Sequence, residues 1–197
     1  MKTFYIISGV VLGLVVVSQV YSVVSTNRTE RQNYKLIRTE EDFELRFYPS
    51  ATMATIRSNV NSYKELSSPG FRKLAGFIFG GNDSKTQIAM TSPVHMDIND
   101  SVSSMSFVMP SKYDAGTLPK PSNSEVSISE SPAETVATLT FGGYASDYKI
   151  GKYKQKLQTA LEKAGISHDG NFRVLGYNPP FQLVGRKNEI IVAVNLD

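Results

Sequence analysis

One order of elements (strand, helix, strand, strand) is predicted twice along the chain, at an offset of about 83 to 87 residues. ATMATIRS (51–58) corresponds to ETVATLTF (134–141), and MSFVMP (105–110) corresponds to EIIVAV (189–194). Repeats at so long a spacing are typical of a duplicated supersecondary unit. Neither copy can cover its apolar strand face alone, so the two copies are expected to pack together in one domain.

The residues between the repeated strands predict one main helix in each copy. Ser68 and Gly80 bracket the first helix, by the N-cap and C-terminal glycine rules. The second helix runs from about Asp147 to Ala164, and FQLVGR (181–186) is predicted as a strand. The sequence therefore predicts an α+β fold in which two β-α-β-β units form a twisted, antiparallel, barrel-like sheet. A cleft is expected where the halves join.

Composition excludes several classes of function. The chain has 197 residues, 41% apolar and 20% charged, which fits one globular domain. Its 21 basic and 18 acidic residues are scattered, and without a basic stripe no nucleic-acid partner is expected. Cysteine is absent, which excludes disulfides, thiolate metal sites, a thiol nucleophile and the covalent attachment of haem.

The N-terminal segment predicts contact with a membrane. Residues 4–24 contain no charge, and at 1.5 Å per residue their 21 positions match a hydrocarbon core of ~30 Å. We expect an uncleaved anchor within residues 1–25, because a secretory signal normally has an apolar run of only about 7–15 residues. Export after cleavage is the alternative, and the membrane face stays open. Residues 26–33 are predicted to form a short polar linker.

Seven motifs in a fixed order give the most specific signal in the sequence. They are FELRFY (43–48), FRKLAGFIFGGND (71–83), IAMTSPV (88–94), LPKPSNSEVSI (118–128), FGGYAS (141–146), GYNPPF (176–181) and GRKNEI (185–190). In these motifs residues 34–197 resemble the SOUL family of haem-binding proteins. Each motif is weak by itself, but seven in the family's order make a chance match improbable.

The resemblance implies a monomeric or weakly associating domain that holds haem or a related tetrapyrrole without a covalent bond, in an apolar groove beside a helix. Such a ligand needs apolar walls for its ring and cations for its propionates. The residues nominated for the wall are Phe47, Phe71, Leu74, Phe77 and Ile78, and those nominated for the rim are Arg72, Lys73, Arg186 and Lys187.

The sequence leaves the iron ligand unknown. Some family members carry a histidine in the E-x-R-x-Y strand, but this chain has Phe47 at the matching position. The remaining histidines are His95, in a strand, and His168, in a turn. Haem iron also accepts methionine and tyrosine, and both are plentiful here.

Catalysis is not expected, because the parts of common enzymes are missing from the sequence. Ser92, His95 and Asp97 lie close together, but no G-x-S-x-G elbow presents the serine. The glycine pairs lack the lysine of a phosphate-binding loop. The alternative to haem binding is a general module for hydrophobic small molecules or for a protein partner. Storage, transport and sensing all remain open as biological roles.

Overall fold

The computed structural model describes residues 2–196, and among these it describes the side chains of all residues except 2–12, 15 and 16. The helices are α1 (Lys2–Arg28), α2 (Tyr63–Ile78) and α3 (Asp147–Ala164), and the strands are β1 (Glu30–Arg31), β2 (Lys35–Thr39), β3 (Glu44–Tyr48), β4 (Ala51–Ser58), β5 (Thr91–Ser92), β6 (Val94–Asp97), β7 (Ser103–Val108), β8 (Ser127–Ser131), β9 (Glu134–Gly142), β10 (Ser167–His168), β11 (Arg173–Gly176) and β12 (Lys187–Asn195).

Most strands belong to one antiparallel sheet that curls into a half-barrel. Its strand order is β2, β3, β9, β12, β11, β6, β7, β4 and β8, and β10 pairs with β12 at the side. The short strands β1 and β5 pair in parallel, apart from this sheet. Because α2 and α3 share one apolar core with the sheet, they cover the same face of it. The predicted α+β fold with an antiparallel, barrel-like sheet is confirmed.

The duplication is visible in the connections. The first unit is β4, α2, β6 and β7, and the second is β9, α3, β11 and β12. The units join where β6 pairs with β11, with Met96 opposite Val174. The strand before each unit pairs with the other unit, because β3 pairs with β9 and β8 pairs with β4. This exchange interlocks the halves, so each half completes the sheet of the other.

The core lies between the helices and the sheet. From α2 it takes Leu66, Leu74, Phe77 and Ile78, each 1% exposed or less. From α3 it takes Leu157 and Leu161, both fully buried. Fully burying one such side chain contributes roughly 1.5–3 kcal/mol to stability, so these side chains hold both helices to the sheet.

The first main helix begins at Tyr63, before the predicted start at Ser68. Ser62 is the N-cap: its Oγ accepts from the backbone N–H of Glu65 at 3.3 Å and donates to Glu65 Oε2 at 3.0 Å. This capping pair satisfies free groups at the helix start, which moves the boundary toward the N-terminus. The second main helix, Asp147–Ala164, lies where it was predicted.

The predicted strand at residues 181–186 is wrong, because this segment is a loop. Pro179 and Pro180 precede it and have no backbone N–H to give to a strand ladder. The backbone N–H of Gln182 donates to the carbonyl of Pro179 at 3.2 Å, which closes a turn. The last strand, β12, therefore begins only at Lys187.

The N-terminal residues make specific contacts with the domain. α1 continues to Arg28, and the predicted linker, residues 26–33, contains β1 and a hydrogen bond of 2.8 Å from Gln32 N to the carbonyl of Ser92. Judged on the described residues, none of the helices is both long and apolar enough to cross a membrane. The predicted anchor at residues 4–24 falls partly on side chains that lie outside the described residues, so it stays a prediction.

We expect Gly81→Ala to destabilise the domain by roughly 2–4 kcal/mol. An added Cβ would lie 2.5 Å from the carbonyl oxygen of Gly76, at the point where α2 ends. Gly76→Ala is the matched control, because it lies inside α2 with no atom within 4 Å, and it should stabilise by about 0.5–1 kcal/mol. Urea unfolding of the full chain in detergent measures both changes. Equal effects of the two substitutions would contradict this account of the helix end.

Candidate functional site

The loop before β12 exposes three large apolar side chains within four residues. Phe181, Leu183 and Val184 are 64%, 56% and 59% exposed, and Tyr144 beside them is 48% exposed. We call these four residues the apolar loop surface. Single exposed apolar side chains are ordinary, but a contiguous group of them is typical of an interaction site.

The side chain of Gln19 in α1 fixes this loop in place. Its Nε2 donates to the carbonyl of Phe181 at 3.2 Å, and its Oε1 accepts from the backbone N–H of Leu183 at 2.8 Å. Thr26, further along α1, donates to Oε1 of the buried Gln182 at 3.0 Å. These bonds use two backbone groups of the loop and its buried Gln182 side chain, and they hold the segment with its apolar side chains pointing outward.

Arg186 organises the loop from its other end. Its Nη1 donates to the carbonyls of Pro179 and Gln182, at 2.6 and 2.8 Å. The guanidinium lies 4.2 Å from the ring centroid of Tyr144, whose hydroxyl donates to the carbonyl of Pro180 at 3.1 Å. Arg186 therefore acts mainly as an internal support of the loop, through a cation–π contact and two carbonyls.

Further cations come from the first turns of α2 and α3, which meet near the loop. The Asp147 carboxylate accepts from the backbone N–H groups of Tyr63 and Lys64, at 2.6 and 3.3 Å. Lys149 donates from Nζ to the carbonyl of Gly142 at 3.2 Å, and Lys64 is exposed. These two lysines place positive charge near the apolar loop surface.

The sheet face away from the helices, which we call the polar sheet face, carries a buried group of charges beside a small buried apolar cluster of Tyr48, Val136, Leu175 and Ile191. Glu189 is fully buried, and both of its carboxylate oxygens lie 3.1 Å from Nη1 of Arg46. It also accepts from the Tyr177 hydroxyl at 2.6 Å and pairs with Lys187 Nζ at 2.8 Å. On its solvent side Arg46 pairs with Glu44 at 2.6 Å. Buried charges need such partners, and here they come from β3, from β12 and from the residue that follows β11.

These contacts set the ionisation of the group. Burial alone would raise the pKa of Glu189, but the charge of Arg46 and the hydrogen bonds from Lys187 and Tyr177 outweigh burial and lower that pKa. Burial, with the nearby Glu189 charge, raises the pKa values of Tyr177 and Tyr48. At neutral pH the cluster therefore contains a carboxylate and two neutral phenols, and it holds together as an ion pair.

His95 lies on the same sheet face, on β6. It is 7% exposed, and its Nε2 lies 2.7 Å from Oε1 of Gln32. Burial, with the charge of Arg173, lowers the pKa of His95 to about 3, so the ring is neutral at physiological pH. Beside it is a cavity of about 210 Å³ whose lining includes Thr55, Ser106 and the guanidinium-bearing Arg57. This cavity is small and polar, in contrast to the apolar loop surface.

Comparison with known proteins decides the family. The family model described as "SOUL heme-binding protein" matches residues 29–193. The chain belongs to the SOUL family. It is 28% identical to heme-binding protein 1 of Xenopus laevis over 155 residues, which cover 75% of this chain and 81% of that protein. It is 29% identical to heme-binding protein 2 of Mus musculus over 156 residues, which cover 75% and 76%.

Solved structures show the same fold at low sequence identity. The EcmrR C-terminal domain aligns with a TM-score of 0.57 at 14% identity, covering 83% of this chain and 99% of that domain. A structure described as a hydrolase from Listeria innocua aligns with a TM-score of 0.57 at 10% identity, covering 81% and 94%. At these identities the likeness concerns the fold alone.

The five apolar residues nominated from the SOUL resemblance lie in different surroundings. Leu74, Phe77 and Ile78 are 1% exposed or less, so the protein's own core covers them. Phe71 is half-buried against the core, and Phe47 is 38% exposed on β3. The structure does not gather these five on one open wall, and ligand contact stays a prediction for Phe47 and Phe71.

The four nominated basic residues are also separated. Arg72 and Lys73 lie on the outer side of α2. Lys187 points to the polar sheet face, where it pairs with Glu189. Arg186 belongs to the loop and stacks on its tyrosine. Contact with a ligand stays a prediction for all four, and Arg186 is the one that lies at the apolar loop surface.

Sequence reasoning missed Phe181, Leu183 and Val184 as site residues because FQLVGR was interpreted as a strand. One signal in the sequence favours a loop: Pro179 and Pro180 stand before the segment and Gly185 within it, with φ at +63°. The contact with Gln19 had no sequence signal, because it joins residues at opposite ends of the chain. Among the described residues, no cluster of three or more acidic or histidine side chains could hold a metal ion.

We expect Glu189→Gln to destabilise the protein by roughly 3–5 kcal/mol at pH 7, because it removes the carboxylate that compensates buried Arg46. Glu44→Gln is the control: Glu44 also pairs with Arg46, but its side chain is 36% exposed, so its loss should cost less than about 1 kcal/mol. Unfolding of both variants by urea gives the two values.

The pH dependence of the difference in stability between wild type and Glu189→Gln tests the lowered pKa of Glu189. Since that pKa is lower in the folded than in the unfolded chain, the carboxylate stabilises above the ordinary carboxyl pKa. This stabilisation is lost as the pH falls through the lowered value. The stability gap between wild type and Glu189→Gln should therefore shrink on acidification. A gap that stays constant from pH 7 to pH 3 would argue against the ion pair.

Proposed function

We propose that this SOUL-family chain binds haem or a related porphyrin, without a covalent bond, at the apolar loop surface. Two kinds of observation support the proposal. The relatives are named heme-binding proteins, over three quarters of this chain. The loop presents apolar side chains beside cations, which is the combination that an amphipathic macrocycle with two propionates needs.

The exposed apolar side chains of the loop provide the area that a porphyrin ring would cover. The side chains of Phe181, Leu183 and Val184 are more than half exposed, and the Tyr144 ring lies beside them. Covering such side chains contributes roughly 25 cal/mol per Å² of apolar surface removed from water. The loop is already ordered by Gln19 and Arg186, so a ligand does not have to pay much entropy for ordering it.

The propionates are expected to pair with lysines at the edge of the surface. Lys64 is exposed, and Lys149 Nζ donates to the carbonyl of Gly142. Arg186 is less available, because its Nη1 is committed to two loop carbonyls and its Nε is buried without a partner. Its positive charge still favours an anion nearby.

Iron coordination by histidine is not expected at this surface. His95 is buried and bonded to Gln32 on the polar sheet face. His168 follows the C-terminal end of α3, which at 18 residues is ~27 Å long, whereas the loop lies near the N-terminal end of that helix. Tyr148, 80% exposed in the first turn of α3, is the donor we nominate, since haem iron accepts tyrosine.

The exposed position of the apolar loop surface favours transport of the ligand over its storage. The loop residues are exposed, so a bound ring would keep one side accessible and could exchange. We therefore propose binding for transport, without catalysis. We also propose that residues 4–24 anchor the chain in a membrane, because this uncharged run has the length of a hydrocarbon core.

Titration of the full chain with hemin in detergent tests the proposed site. Wild type should give a saturable shift of the Soret band. The double variant Phe181→Asp, Leu183→Asp should bind at least about tenfold more weakly, which corresponds to roughly 1.4 kcal/mol. Phe79→Asp is the matched control, because Phe79 is 63% exposed and lies at the far end of α2.

Equal binding by the double variant and by wild type would place the site elsewhere. Failure of wild type to shift the Soret band, together with equal uptake of unrelated apolar dyes, would favour the general hydrophobic module instead.

A further inference from the structure

The position of Gln19 within the uncharged N-terminal run links the loop to the proposed membrane anchor. Gln19 lies five residues before Val24, the last residue of that run, which is ~7.5 Å along the helix. Two direct hydrogen bonds join Gln19 to Phe181 and Leu183. If residues 4–24 fill the hydrocarbon core, the loop lies at the depth of the outer acyl chains.

Loops at this depth must satisfy their backbone internally, because lipid offers no hydrogen bonds. The segment from Pro179 to Val184 meets most of this demand through its carbonyl groups. Its first two residues are prolines, which have no N–H. Five of its six carbonyls accept hydrogen bonds from the protein, at 3.2 Å or less. Arg186 donates to the carbonyls of Pro179 and Gln182, and the Tyr144 hydroxyl donates to that of Pro180. The Gln19 side chain donates to the carbonyl of Phe181, and the Gln182 side chain donates to that of Val184.

The side chains of Gln19 and Gln182 are satisfied as well. The Gln19 amide uses both its nitrogen and its oxygen on the loop. Gln182 is 2% exposed and bonds to Thr26 and to the Val184 carbonyl. What the loop turns outward is apolar, and α1 continues that exposure with Leu14, Val17 and Tyr21, at 65%, 66% and 74%. These three residues lie on the side of α1 away from Gln19, so apolar side chains face outward from both the helix and the loop.

The edge of this surface carries residues that favour a lipid headgroup region. Tyr144 presents an aromatic ring with a bonded hydroxyl, and tyrosines are enriched at membrane interfaces. Lys64, Lys149 and Arg28 supply positive charge nearby, and Arg28 ends α1. Cations at this level favour contact with phosphate groups.

We infer that the apolar loop surface lies in the bilayer beside α1, so that the SOUL domain takes up and releases its ligand through the lipid phase. This inference rests on the proposed anchor and on the proposed ligand surface. It gives a reason for exposing Phe181, Leu183 and Val184, because in the membrane these side chains are removed from water. An amphipathic porphyrin that dissolves among lipids would reach the loop directly.

A single tryptophan tests the depth of the loop, since the chain contains none of its own. Phe181→Trp in the full chain is reconstituted, without any ligand, into phosphatidylcholine vesicles whose acyl chains carry bromine. We expect blue-shifted emission that loses about half its intensity or more to the bromine. Phe79→Trp is the matched control at 63% exposure, and its emission should resemble that in vesicles without bromine.

Leu183→Trp provides a second position in the loop, in case the first variant folds poorly. If both loop tryptophans are quenched no more than the control, the inference is overturned, and the surface is then free for a protein partner. A chain that fails to float with the vesicles would overturn the inference together with the anchor. Quenching without hemin binding in the separate titration would remove only the haem assignment and leave the loop in the bilayer.

Discussion

The exposed loop of this protein keeps its shape through hydrogen bonds from Arg186 and Gln19 to its backbone. Arg186 holds the carbonyls of Pro179 and Gln182, and Gln19 of α1 holds the backbone of Phe181 and Leu183. With these groups bonded, the loop can keep one shape while its apolar side chains face outward. The bonds of Gln19 also join the first helix to the domain. The position of that helix and the conformation of the loop therefore depend on the same contacts.

The two faces of the sheet differ in what they bury. One face carries α2 and α3 and the apolar core, which includes the predicted ligand residues Leu74 and Phe77. The other face carries the buried pair of Arg46 and Glu189, whose strands β3 and β12 both border β9. Neither face offers an open apolar wall, because the helices cover the first and the apolar side chains of the second are themselves buried beside the charges. The surface that remains is at the rim, where loops join the strands.

The repeat made the fold predictable, because the apolar pattern of ATMATIRS and ETVATLTF specifies strands that need a shared core. The exchange of β3 and β8 between halves was beyond reach, since pairing partners far apart in sequence leave no local pattern. The family motifs pointed to haem and to Arg186. The apolar pattern of residues 181–186 wrongly predicted a strand where the structure has a loop. The prolines before this stretch and Gly185 within it favour a loop, and the hydrogen bonds that hold it come from Gln19, far away in sequence.

The central claim is that a tetrapyrrole covers the loop at residues 178–186. Hydrogen–deuterium exchange of the full chain, with and without saturating hemin, tests this claim most directly. We expect slower exchange in peptides that cover residues 178–186 and the first turn of α3, with no change in β6 and β7. Protection of β6 and β7, around the polar cavity at His95, with an unchanged loop would contradict it.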